Sequence, residues 1–265
     1  MVRSGRADGI PYSLSRWTDV VASKWDWFRA CLKAGQMVAF DPKSIAPQAW
    51  SLAPEDTLGL VFWTKNPRML VRTKHIFEEY DVSVHMTATG WEEAEEGAPG
   101  LRESALLLAD AAKAFKKVYW RFSPVPLLPN EELLRRFSEI LMYAALSGGL
   151  DRVYVSFLQE NDRMPETRTG PEKSDILNML ADKAAERDVR VILCSDDQSL
   201  VKPGVPFETG HCVPESDFPG APVSLEDCGC VLMADPFTIN EACLYKCAYC
   251  YTADSSLSAE RRDTT

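Results

Sequence analysis

Seven of the eight cysteines of this 265-residue chain fall between positions 194 and 250, so thiol chemistry is concentrated toward one end. The sharpest group is ACLYKCAYC, where Cys243, Cys247 and Cys250 follow a CxxxCxxC spacing and Tyr249 precedes the last thiol. Three thiolates this close can hold three irons of a cubane [4Fe-4S] cluster and leave the fourth iron open to another ligand. The alternative is a zinc knuckle, which wants a fourth Cys or His nearby; no His follows, and Asp254 is not a usual structural-zinc ligand. A second group, Cys194, Cys212, Cys228 and Cys230, is expected to hold an auxiliary [4Fe-4S] cluster or a zinc ion, with His211 as an alternative ligand. The competing reading is four buried thiols that bind nothing, because cysteine is among the most buried residue types. Cys31 reads as a core residue of an amphipathic helix.

Apolar runs along the chain end in residues that can bind or react: Arg16, Thr18 and Asp19; Thr64, Lys65 and Asn66; Thr87 and Thr89; Arg121 and Ser123; Ser156; Cys194, Ser195 and Asp196. In a barrel of parallel strands all these ends open on one face, where active sites are built. Arg16, Lys65 and Arg121 are the candidates for gripping carboxylates or other substrate charges, since each carries fixed donors into an apolar cavity.

The elements that would position them are short β-branched or aromatic runs separated by helical stretches, a pattern of parallel strands and crossovers. Strands are predicted at 10–16, 58–64, 82–88, 117–123, 152–158, 189–195 and 231–237, and helices at 18–34, 102–116 and 171–187. A further helix over 131–147 puts Leu133, Phe137, Ile140, Leu141 and Ala144 on one face, with Asn130 as N-cap and Gly148 as the stop. Stretches 41–56, 91–100 and 202–227 read as loops. The expectation is an α/β fold, an incomplete parallel (β/α) barrel of about six to seven strands. It forms one domain over 1–251, with 202–230 a cysteine-containing loop region and 252–265 a flexible tail.

A net charge of −10 and a pI near 4.9 argue against a general grip on phosphate backbones, so duplex nucleic acid is not an expected partner. No apolar run reaches the ~18 residues of a membrane span, and MVRSGRADGIPYSLSRW lacks the apolar core of a signal peptide. The expected setting is cytoplasmic, where thiols serve metals or redox chemistry in preference to disulfides.

The cysteine spacing with its penultimate aromatic resembles the signature of radical S-adenosyl-L-methionine (SAM) enzymes, and DPFTINEACLYKCAYCYT is similar to the spore photoproduct lyase branch, with Asp235 where Asn is usual. The chain as a whole resembles the family called domain of unknown function 1848. That likeness rests on SLSRWTDV (13–20), VFWTKNP (61–67), TATG (87–90), YWRFSP (119–124), CGC (228–230) and the terminal cysteines. Trp17 and Ser123 depart from the Arg and Asp of that pattern.

The resemblance implies a cluster that passes one electron to bound SAM and generates a carbon radical acting on a small-molecule or amino-acid/peptide substrate. It implies an electron donor such as flavodoxin or ferredoxin. Tyr249 would set its backbone against the adenine, and Asp19, Asn66 and Thr87 would meet the ribose or amino group of SAM. The motif follows the last strand, not the first, which implies a circularly permuted barrel with strand 231–237 beside strand 10–16. Two other readings remain at this point: SAM cleavage with aminocarboxypropyl transfer, and a non-enzymatic zinc or Fe-S module.

Overall fold

The structure, a computed structural model, describes residues 2–14, 18–40, 47–158, 164–194, 200, 204, 206–224, 229–235 and 243–250. In chain order the strands are β1 (Val2–Arg3), β2 (Tyr12–Leu14), β3 (Gln36–Phe40), β4 (Pro47–Ser51), β5 (Leu60–Thr64), β6 (Val82–Thr87), β7 (Lys117–Phe122), β8 (Arg152–Val155), β9 (Arg190–Leu193) and β10 (Phe207–Thr209). The helices are α1 (Gly5–Asp8), α2 (Val20–Ser23), α3 (Trp25–Ala34), α4 (Arg68–Arg72), α5 (Leu101–Ala114), α6 (Asn130–Leu146) and α7 (Gly170–Ala185).

The main sheet has seven strands in the order β10-β9-β8-β7-β6-β5-β2, and every pairing in it is parallel. Spatial order follows chain order, so the C-terminal strand ends open on one side. The barrel is not closed: among the described residues β2 and β10 do not pair. Next to β2 lies the segment expected as strand 231–237. It makes one parallel bridge, Ala234 to Tyr12, with Ser13 N donating to Ala234 O at 2.7 Å and Ala234 N donating to Pro11 O at 3.0 Å. The expected position beside β2 is found, as an edge bridge and not as a full strand, and residues 236–242 lie outside the described residues.

Strand β7 shows how the sheet serves two cores. Val118, Trp120 and Phe122 are buried on one face, where Trp120 stacks on Phe137 of α6 with ring centroids 5.0 Å apart. Tyr119 and Arg121 alternate to the other face, which lines the barrel interior. The helix-side core takes Val82, Val84 and Met86 of β6, while Val61, Tyr154, Ile192 and Phe218 belong to the interior cluster. Parallel strands covered on both sides read as continuous apolar runs, which is why they were visible in the sequence.

Several expectations are corrected. The helix read at 18–34 is two, because Lys24 leaves helical geometry (φ −134°, ψ 22°) between α2 and α3. The stretch 41–56, expected as loop, holds a strand: Pro47–Ser51 pairs antiparallel with β3 and parallel with β1 in a separate small sheet. Pro47 is tolerated there because a first strand residue need not donate to the ladder. β10 falls inside the loop expected over 202–227. Pro129, not Asn130, is the N-cap of α6, since Asn130 is already helical. Gly148 sits in the left-handed region (φ 71°) just past α6, as a helix stop requires.

Candidate functional site

The C-terminal segment lies across the C-terminal ends of β5 and β6. Ala248 N donates to Ala94 O at 2.8 Å, and Leu244 N donates to Ser23 Oγ at 3.3 Å. Gly97 (φ 77°) permits this approach, because a Cβ there would stand 3.1 Å from Leu244 O. The docking is completed by Tyr249, whose ring stacks on Trp91 at 5.6 Å and an interplanar angle of 15°. Its hydroxyl accepts from Lys65 Nζ at 2.9 Å and donates to Glu95 Oε1.

Glu95 is the centre of this network. Its Oε1 also accepts from Lys65 Nζ at 2.8 Å and from Thr89 Oγ1 at 2.9 Å. Burial pulls the Lys65 ammonium down, but Glu95 opposite it and the nearby Cys247 outweigh burial and raise it. The lysine is therefore held charged. Burial is also the main cause that pushes the Cys247 thiol up to about 11, with Lys65 opposing it and Glu95, Cys250 and Cys243 adding to it. Burial and Glu95 push the Tyr249 phenol well above its ordinary value, so it remains a donor.

Asp19 fixes the base of the same corner. One carboxylate oxygen caps α2 through Ala22 N at 3.0 Å, and the other accepts from Thr64 Oγ1 at 2.8 Å and Lys65 N at 3.0 Å. It holds the protein's own backbone, and burial pushes its carboxyl up to about 6 against those hydrogen bonds. Asn66 turns its side-chain oxygen to Arg68 N at 3.2 Å at the start of α4. Thr87 ends β6 half-buried, opposite Arg121 in the register of β7.

Arg121 reaches into the interior. Its guanidinium lies 5.2 Å from the Trp63 ring and against the sulfurs of Cys212 and Cys194, and its Nη1 is buried with no hydrogen-bond partner among the described residues. Below it is an aromatic floor, Trp63 stacked on His85 at 4.3 Å and His85 beside Tyr119 at 5.0 Å. Burial, reinforced by Arg121, holds His85 well below its ordinary value, so the imidazole is neutral.

The structure thus brings Lys65, Asp19 and Tyr249 together with Cys247, and Arg121 together with Cys194 and Cys212. Arg16 and Cys228 lie outside the described residues. The sequence reading missed Glu95, Trp91 and Trp63 as site residues. Trp91 and Ala94, apolar positions within an acidic loop, were the available signal. Among the described residues no three His, Cys, Asp or Glu side chains converge on a point that could hold a metal ion. A cubane places each thiolate on a different iron and does not require such convergence, and three closely spaced thiols are the donor set it takes.

What fold and site define is an open parallel α/β sheet whose C-terminal mouth is covered by a three-cysteine segment. The chain belongs to the family described as a domain of unknown function (DUF1848), whose model matches residues 12–252. No curated protein matches the chain. Among solved structures, it is similar to a sugar phosphate isomerase/epimerase from Parabacteroides distasonis at 9% identity and a TM-score of 0.27, covering 53% of this chain and 56% of that one. The chain thus spans just over half the length of that neighbour. No helix among the described residues is long and apolar enough to cross a membrane.

Proposed function

We propose that the chain is a radical SAM enzyme, with Cys243, Cys247 and Cys250 as ligands of a [4Fe-4S] cluster at the mouth of the sheet. The observation that carries this reading is the docking of the cysteine segment through Tyr249 onto Lys65 and Glu95, at the strand ends where parallel α/β sheets place their chemistry. When bound, a reduced cluster with SAM supplies a carbon-centred radical. The protein's part is positional. Trp91 and Glu95 hold Tyr249 and thus the turn between Cys247 and Cys250, while Lys65 sets a positive charge beside the thiolates. Asp19 holds β5 against α2 so that Lys65 points into the mouth.

Arg121, with a buried unsatisfied donor and the flat Trp63 ring beneath it, is suited to an anionic group on a small-molecule or amino-acid/peptide substrate. An electron donor of the flavodoxin or ferredoxin type would deliver the reducing electron. The test is anaerobic reconstitution of the full chain with iron and sulfide, followed by reduction in the presence of SAM and product analysis. Cluster loading with SAM cleavage is expected, and both are lost in the Cys243→Ala/Cys247→Ala/Cys250→Ala variant. Unchanged iron in that variant sinks the proposal; release of 5′-methylthioadenosine with the aminocarboxypropyl group transferred redirects it to aminocarboxypropyl chemistry.

A further inference from the structure

Beneath the mouth, Cys212 and Cys230 place their sulfurs 3.3 Å apart, both side chains being buried. Neither is in a disulfide. Two backbone devices hold this pair. Val231 N donates to Val213 O at 3.0 Å and Ser224 N donates to Cys230 O at 2.9 Å, so the residues flanking the two cysteines are tied to each other and to the 222–224 strip. Gly229 takes the left-handed backbone (φ 72°) that favours glycine and lies close to the His211 ring, where a Cβ would come within 2.4 Å. The Arg121 guanidinium is set against Cys212 and against Cys194 at the end of β9.

We infer that Cys212 and Cys230 are a redox-active dithiol, a modification site that closes to a disulfide when a peroxide-class oxidant reaches the barrel interior. A disulfide needs its sulfurs ~2.05 Å apart, so little more than an ångström of closure is required from a pair already in contact. In the first step the Cys212 thiolate attacks one peroxide oxygen. The O–O bond breaks, hydroxide leaves, and Cys212 becomes a sulfenic acid. Arg121 stabilises the negative charge that develops on that sulfur as its proton departs. In the second step the Cys230 sulfur attacks the Cys212 sulfur, the S–O bond breaks, and the hydroxyl leaves as water with the Cys230 proton. Two thiols and one peroxide give one disulfide and two waters, and the two electrons pass from sulfur to oxygen. A metal ion held by these thiols is the competing outcome, and the experiment below separates the two. The inference stands independently of the cluster at Cys243, Cys247 and Cys250.

The test is disulfide mapping on the full chain, isolated anaerobically and treated with stoichiometric hydrogen peroxide. Thiols are then blocked, and the chain is cleaved after glutamate, which separates peptide 209–215 with Cys212 from peptide 227–241 with Cys228 and Cys230. The expected product is a cross-link between these two peptides that a thiol reductant reverses, that disappears in Cys230→Ser and that persists in Cys228→Ser. In Arg121→Gln the cross-link should form ~tenfold more slowly, since the charge that assists thiolate formation is gone. Cys194→Ser should leave it intact. A cross-link lost in Cys228→Ser, no cross-link in wild type, or stoichiometric zinc or iron that persists in the Cys243/Cys247/Cys250 triple variant and vanishes in Cys212→Ser would each overturn the inference.

Discussion

The two ends of the main sheet each carry a lysine, a carboxylate and a tyrosine, in opposite service. At the C-terminal end, Lys65, Glu95 and Tyr249 join strand β5, the 91–97 loop and the cysteine segment. At the N-terminal end, Lys117, Asp217 and Tyr119 do the corresponding work. Tyr119 OH donates to Asp217 Oδ1 at 2.6 Å, and Lys117 donates to the Asp217 backbone carbonyl and to Asp81 Oδ1 at 2.6 Å. The difference lies in what each trio anchors. Asp217 brings Phe218 under the barrel, where the ring fills the space left by Gly59 and meets Lys117 at 4.9 Å, giving an apolar plug. Glu95 brings three thiols over the top.

The charge pairing differs as well. Lys65 and Glu95 keep only 13% and 6% of their side-chain exposure, whereas Lys117 and its partner Asp81 keep 25% and 45%. A buried pair is costly to break, and an exposed one contributes little. The bottom is thus a closure that rests on its apolar plug, and the mouth a charged seat whose integrity matters to whatever the thiols hold. In parallel barrels the two faces divide in that way.

The contrast can be broken most severely at the thiols themselves. The triple variant Cys243→Ala/Cys247→Ala/Cys250→Ala should lose all iron taken up by the terminal motif, while its unfolding free energy falls by only about 1–3 kcal/mol, since Cys247 is buried and Cys243 and Cys250 are partly exposed. Iron per chain and urea unfolding report the two quantities.

Next in size is Glu95→Gln, which leaves Lys65 buried without its counter-charge and should cost roughly 3–5 kcal/mol. It should also lower iron retention on reconstitution, because Tyr249 loses its charged acceptor. Full iron retention in a folded Glu95→Gln protein would mean that the seat does not hold the segment.

At the other end, Asp217→Asn removes the charged acceptor of Tyr119 and Ser83 and should cost about 1–3 kcal/mol with iron uptake unchanged. Iron loss there equal to that of Glu95→Gln would erase the distinction between the two ends.

The smallest effect is expected from Tyr249→Phe. The ring still stacks on Trp91, but one hydrogen bond to Glu95 and one from Lys65 are gone, for about 1 kcal/mol by thermal unfolding and a modest rise in iron dissociation.

Much of the site could be read in the residue order. Lys65 directly after LVFWT and Arg121 within KVYWRF stand out because an apolar parallel strand ends or alternates there, and the cysteine spacing is local by nature. Glu95 was hidden for a physical reason. It belongs to the run EEAEE, in which each carboxylate has the same chemistry, and its 6% exposure depends on Trp91 and Ala94 turning that face of the loop inward. Asp217 was hidden likewise in a short polar turn that becomes buried only because Phe218 is drawn under the barrel.

The order of parallel strands follows from local patterning, because period and apolar content are properties of a few neighbouring residues. The small sheet of β1, β3 and β4 does not follow, since its pairing joins Val2 to Ala49 across several intervening elements and the strand PQAWS has no clear alternation. The same holds for the contacts that join residue 65 to residue 249 and residue 212 to residue 230. Chain neighbours constrain backbone geometry, but which loop closes over which strand end is settled by burial summed over the whole core, and no short stretch of residues carries that sum.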